Sequence, residues 1–318
     1  MKELIIDITY KCNSSCKYCQ WNAKNGKEIK KGIPIDNILV PPKTLNTLCI
    51  SRIVLSGGEP LLASKLGRIL KYYGNLSLDL RLLTNGFNLS LERLKKFLKT
   101  GLDEYVFSID ALDYNIFSKI REKSRKHYSK MLKNLKHCID LRKKNIISFL
   151  GLTVVLTKLN CNLKVIKKLI EYCQNNKIDQ IKFQPVYDDG FLSMDSPQLK
   201  LDEECVNEIK KIMQFLEARE LNSFFTNPVG FWKDLQQLLI GKNLNPRNCT
   251  LDNNSILLHD GIFKFCFWFN YIDYGGLSDE ITKKSINLSI SKFRKNLGKC
   301  KVKPQCFCLQ PINHIWSQ

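Results

Sequence analysis

"YKCNSSCKYCQW", residues 10–21, places Cys12, Cys16 and Cys19 in C-x3-C-x2-C spacing directly after a short apolar run, ELIIDIT at 3–9. A closed zinc site takes four ligands and commonly draws them from paired C-x2-C knuckles, which this spacing does not resemble. A cubane of four irons held by three cysteines keeps one iron open to a further ligand. The plainer alternatives are a zinc site completed by a distant residue, or three unrelated buried thiols.

Outward from this loop, short apolar strands alternate with amphipathic helices. Strands are expected at 3–9, 52–56, 78–84, 104–109, 147–156 and 179–186, with helices at 61–73, 90–100, 128–144 and 162–176 among them. That rhythm predicts a parallel sheet under right-handed helical crossovers, an α/β fold of the partial (β/α)6, TIM-like barrel type. Unusual residues gather just past the strand ends, where such barrels carry their working groups: the cysteines, then SGGEP, TNG and SID. Beyond residue 200 the pattern changes to two helices, near 202–219 and 228–241, and then to a cysteine-rich stretch. The expected division is a barrel over 1–200, bridging helices over 201–245 and a small C-terminal iron–sulfur domain over 246–318.

Thirteen cysteines, an odd number in tight groups, favour metal clusters in a reducing compartment over a disulfide framework. No stretch is long and apolar enough for a membrane span, and the N-terminus lacks a secretory pattern, so a cytoplasmic protein is expected. The formal charge of +20 is spread through helical segments as a solvated face, and suits an acidic peptide or a phosphorylated molecule. Nucleic acid is disfavoured as a partner, because the basic residues are not interleaved with aromatic stacking platforms.

CNSSCKYC resembles the C-x3-C-x-φ-C signature of the radical S-adenosylmethionine (radical SAM) superfamily, with Tyr18 as φ. The resemblance implies that Cys12, Cys16 and Cys19 bind a [4Fe–4S] cluster whose open iron is chelated by S-adenosylmethionine. It also implies reductive cleavage of that cofactor to a 5′-deoxyadenosyl radical, which takes a hydrogen atom from an unactivated C–H bond. LSGGEPLL is similar to the family's GGE motif, with Gly57 and Gly58 permitting close backbone approach and Glu59 accepting from the SAM ammonium. Thr84, Asn85, Ser108 and Asp110 resemble the segments that line the cofactor's ribose and methionine. Arg121 stands where relatives place an arginine for its carboxylate.

A second group, Cys249, Gly261 and Cys266 in C-x11-G-x4-C, brackets an HDG turn that reads as a hairpin. Cys300, Cys306 and Cys308 follow. The arrangement resembles the SPASM and Twitch auxiliary-cluster domains of the same superfamily and implies one auxiliary [4Fe–4S] cluster. Cys249, Cys266 and Cys308 are expected ligands, with Cys306 ahead of Cys300 for the fourth position and a structural zinc as the alternative. Cys49, Cys138, Cys173 and Cys205 read as small core residues. Cys161, after the fifth strand, reads either as a hydrogen-atom donor or as a helix-start residue without a role.

The resemblance implies modification of a ribosomally made peptide by cross-linking, epimerisation or oxidation as the leading expectation. The alternatives are oxidation or epimerisation of a sugar-like or nucleotide-linked metabolite, and a non-catalytic iron–sulfur redox protein. A flavodoxin or ferredoxin is the expected electron donor.

Overall fold

The strand β1 (Glu3–Asp7) has all five side chains buried, as a central strand of a covered sheet must. In the computed structural model, which describes residues 2–19, 32–186, 197–219, 227, 230–241, 255–265 and 273–296, this strand sits inside a single nine-stranded sheet. To one side lie β2 (Arg52–Ser56), β3 (Asp79–Thr84), β4 (Glu104–Ser108), β5 (Phe149–Leu156) and β6 (Gln180–Pro185), each parallel to the strand before it. To the other lies β7 (Ser255–His259), also parallel to β1, followed by the antiparallel β8 (Ile262–Lys264) and β9 (Asp273–Gly276). The order is β6-β5-β4-β3-β2-β1-β7-β8-β9; the sheet does not close. This is the expected open α/β barrel sheet.

Nine helices are seen among the described residues. They are α1 (Pro42–Thr47), α2 (Leu66–Gly74), α3 (Leu91–Leu98), α4 (Tyr114–Arg121), α5 (Arg125–Lys143), α6 (Leu163–Asn175), α7 (Glu204–Glu217), α8 (Phe231–Leu239) and α9 (Lys283–Asn296). Their starts are written in local chemistry. Ser90 accepts from the Arg93 amide, Asn162 from the Val165 amide, and Asp113 from those of Asn115 and Ile116.

Strand pleating sorts the side chains onto two faces. Leu4, Ile6, Ile53, Leu55, Leu80, Leu82, Phe107, Leu150, Leu152, Val154, Ile181 and Phe183 form a helix-covered core face with almost no exposure. The other face mixes buried Ile5, Val54 and Val106 with polar and charged residues. At its N-terminal end Arg52 bonds Glu104 (3.1 Å) and Asp79 (3.0 Å), while Arg81 pairs with Glu104 at 2.7 Å and lies 4.1 Å over the Phe149 ring. Towards the C-terminal strand ends this face carries half-exposed Ser56, Ser108, Thr153, Lys182 and Gln184.

The HDG sequence forms the expected hairpin. Asp260 (φ 49°) and Gly261 (φ 79°) make a two-residue left-handed turn between β7 and β8. The described part of the expected C-terminal domain builds no sheet of its own, since β7 lies against β1 and extends the barrel sheet. Cys249, Cys266, Cys300, Cys306 and Cys308 lie outside the described residues.

Candidate active site

The loop after β1 carries the three cysteines, each partly buried. The Ser14 amide donates to the Cys12 sulfur (3.4 Å), the Ser14 hydroxyl lies 3.2 Å from the Cys16 sulfur, and the Cys19 amide donates to the Cys16 carbonyl at 3.1 Å. Burial pushes the Cys12 thiol up to about 12, and Cys16, Cys19 and Glu59 add to the shift. Cys16 is raised chiefly by burial as well, with Arg121 opposing. Such thiols hold their protons until a metal replaces them, and the surrounding N–H and O–H groups are suited to the charge that a bound cluster leaves on sulfur. Among the described residues, no three His, Cys, Asp or Glu side chains converge on a single-ion site. This donor set, three thiols of one loop with hydrogen bonds already aimed at two of the sulfurs, fits an iron–sulfur cluster.

Two side-chain contacts strap the loop to the barrel, braced by a third between their partners. The Tyr18 hydroxyl donates to Asp110 Oδ2 (2.8 Å), Arg121 Nε reaches the same oxygen (2.7 Å), and Arg121 Nη2 donates to the Tyr18 oxygen (2.8 Å). Asp110 and Arg121 are almost wholly buried, and the other Asp110 oxygen accepts from the Val155 amide at 3.0 Å. The backbone follows, with the Lys17 amide bonded to the Ile120 carbonyl of α4. Arg121 was expected at the SAM carboxylate and Asp110 along the bound cofactor. In the structure Arg121 Nε and Nη2 and both Asp110 oxygens bond protein groups and hold Tyr18, one residue from Cys19.

The GGE turn after β2 runs against the same loop. The Gly58 amide donates to the Thr9 carbonyl (2.7 Å) and the Glu59 amide to the Lys11 carbonyl (2.8 Å). A Cβ on Gly57 (φ 116°) would collide with the Thr9 carbonyl, and one on Gly58 would collide with the Lys11 carbonyl and stand 2.7 Å from that of Tyr10. Both glycines are thus required by the chain's own close approach. Glu59, 1% exposed, accepts from Thr84 Oγ1 (2.8 Å), the Asn85 amide (2.8 Å) and the Leu61 amide (3.1 Å). Burial raises its pKa, with these bonds opposing. Three donors leave one acceptor position on Oε2, enough for a single cofactor N–H. Ser108 lies half-exposed at the end of β4.

Sequence reasoning passed over Asn13, Ser14, Asn134 and Asn160. Asn13 Oδ1 accepts from the Asn85 side chain at 2.7 Å and joins the cluster loop to β3. Asn134 Nδ2 donates to the Gly86 carbonyl at 2.7 Å, and Asn160 Nδ2 to those of Asp110 (2.9 Å) and Val155 (2.8 Å). The available signal was a polar residue amid an otherwise apolar helix face, as with Asn134 in α5. Cys161 is 2% exposed, buried where α6 begins.

The model of the Radical SAM superfamily matches residues 6–170, slightly more than half of the chain. This chain belongs to the radical SAM superfamily. Among curated radical SAM relatives, the probable GTP 3′,8-cyclase of Methanocaldococcus jannaschii is 28% identical over 177 residues, which are 55% of this chain and 56% of that protein. The chain therefore spans just over half the length of that relative. The probable GTP 3′,8-cyclase of Saccharolobus solfataricus is 26% identical over 84% of this chain and 83% of its own. The fold is shared with two solved structures. Streptococcus suis SuiB bound to precursor peptide SuiA has a TM-score of 0.65 at 14% identity, covering 96% of this chain and 70% of that one. Native anSMEcpe with bound AdoMet has a TM-score of 0.62 at 18% identity, covering 100% and 92%. Radical SAM proteins carry a [4Fe–4S] cluster and S-adenosylmethionine, in agreement with the fit of the thiol loop. No helix among the described residues is long and apolar enough to cross a membrane.

Proposed function

We propose that this chain is a radical SAM enzyme acting on a phosphate-bearing small molecule of the nucleotide-linked kind. The observation that carries the enzymatic reading is the continuous bonding that runs from the partly buried Cys12–Cys16–Cys19 loop through Tyr18 to buried Asp110 and Arg121 on one side, and to buried Glu59 and Asn85 on the other. When bound, the reduced cluster and S-adenosylmethionine supply a 5′-deoxyadenosyl radical that takes a hydrogen atom from carbon. The protein fixes the thiol loop, keeps Glu59 ready for one cofactor N–H, and presents the polar inner strip of Ser108, Thr153, Lys182 and Gln184 to the substrate. The net charge of +20 suits an anionic ligand. The nucleotide class is supported by alignment with probable GTP 3′,8-cyclases over as much as 84% of the chain.

Peptide modification is the second reading, favoured by the fold shared with SuiB bound to a precursor peptide. One auxiliary [4Fe–4S] cluster on Cys249, Cys266, Cys308 and either Cys306 or Cys300, in a C-terminal unit, belongs to the proposal under both readings. So does reduction by a flavodoxin or ferredoxin.

GTP deuterated on the ribose separates the two. Reconstituted, reduced protein given S-adenosylmethionine and this GTP should form 5′-deoxyadenosine faster than without it and carry deuterium in that product. SAM cleavage with neither stimulation nor deuterium transfer would remove the nucleotide reading and leave the peptide one.

A further inference from the structure

A second polar cluster stands at the C-terminal end of the sheet, apart from the residues that hold the thiol loop. Asp7 ends β1 and His259 ends β7, one step beyond the Ile6–Leu258 register, so both project from the inner face. Asp7 is 1% exposed, and its Oδ2 lies 3.0 Å from His259 Nδ1. Its Oδ1 is buried without a hydrogen-bond partner among the described residues. The His259 side chain is 20% exposed. Tyr10, two residues before Cys12, sets its hydroxyl 3.4 Å from Nδ1 and its ring edge-on to the imidazole at 5.6 Å. Among the described residues, the other charged groups facing the pair include Asp260, whose Oδ2 is 3.8 Å from His259 Nε2, and Lys264 on β8, which acts on Asp7 through space.

Burial raises the Asp7 pKa and the contact with His259 opposes that shift; in its ionised form the carboxylate can only accept, which sets the hydrogen of a neutral imidazole on Nδ1 and directs the basic lone pair to Nε2. A carboxylate buried with one oxygen unbonded is costly to the fold. That cost is relieved when the adjacent imidazole becomes a cation, because opposite charges in a buried site attract strongly. A proton taken at Nε2 places a cation beside the buried Asp7 carboxylate.

We infer that His259 is a catalytic proton acceptor for a substrate hydroxyl at the barrel mouth, with Asp7 as its positioning residue. The inference rests on the proposed reading, in which the substrate carries hydroxyl groups. The step is a proton transfer alone: the substrate O–H bond breaks, its electron pair stays on oxygen, an N–H bond forms at Nε2, and no oxidant or reductant is consumed.

The test uses the reconstituted, reduced protein with S-adenosylmethionine and GTP, and reads the ratio of GTP-derived product to 5′-deoxyadenosine. In His259→Gly this ratio should fall by about 10²-fold, the lower end of what a positioned acid–base group contributes, and added imidazole should restore about tenfold of it. His259→Gln, which preserves side-chain bulk, should show the same fall without rescue. In Asp7→Asn the acid limb of the pH–rate profile should move. A ratio within about twofold of the parent in His259→Gly, or a loss that imidazole does not mend in protein of unchanged iron content, would overturn the inference. If the parent protein cleaves S-adenosylmethionine but ignores GTP, the nucleotide reading fails, and nitrogen-15 NMR of His259 in the oxidised cluster form decides instead. A hydrogen on Nδ1, lost from that position in Asp7→Asn, supports the pair, and one on Nε2 overturns it. A parent protein that cannot cleave S-adenosylmethionine at all would remove the reading and the inference together.

Discussion

The Tyr18 hydroxyl donates to a carboxylate and accepts from a guanidinium within the buried Tyr18–Asp110–Arg121 triangle. Tyr18→Phe leaves Asp110 and Arg121 paired but removes both bonds to the loop, and should cost about 1–3 kcal/mol in urea unfolding. Arg121→Ala leaves the Asp110 carboxylate buried without its cation and should cost more, about 3–5 kcal/mol, with lower iron incorporation on reconstitution. Equal stability of the two variants would contradict the ordering. Tyr18, Asp110 and Arg121 were legible in the sequence as members of the site, but their partnership was not. Spacing shows which residues share a strand end; it does not show that two opposite charges from β4's end and α4 will pair with each other.

At the level of elements, the GGE turn and the cluster loop behave as one unit because glycine lets their backbones touch. Gly58→Ala would drive a methyl group into the Lys11 and Tyr10 carbonyls. It should lower iron bound per chain on reconstitution while the far-UV circular dichroism of the barrel is retained; full iron content would show that the turn can give way. The first six strands were read from apolar runs to within two residues, since covered parallel strands leave little else in their sequence, whereas β9 was not expected. Helix α4 (Tyr114–Arg121) was passed over: it is short, and its start is set by the Asp113 cap more than by an apolar stripe. The D-G turn announced its hairpin, whereas the pairing of β7 with β1 joins residues some 250 positions apart and has no local signature.

For the whole molecule, the charged layer at the N-terminal end of the inner face makes stability depend on pH. Burial, opposed by Arg81 and Arg52, pushes Glu3 up to about 7 from 4.5. The folded chain then keeps a proton that the unfolded chain has released, so this contribution is complete below about 4.5 and is lost as pH rises through about 7. The loss is on the order of 3 kcal/mol. Glu3→Gln should flatten the decline in unfolding free energy across that window. Some slope should remain, because burial also raises Asp7, Glu59 and Glu104. An unchanged slope would place the titration elsewhere.

The account turns on Cys12, Cys16 and Cys19 holding the cluster at which S-adenosylmethionine is cleaved. The most direct measurement is 5′-deoxyadenosine and methionine formed by anaerobically reconstituted, dithionite-reduced protein, beside a variant with all three cysteines changed to alanine. The parent chain should form both products and the variant neither, even if the variant retains iron on its C-terminal cysteines. Intact S-adenosylmethionine after incubation with the iron-loaded parent, or equal cleavage by the variant, would contradict it.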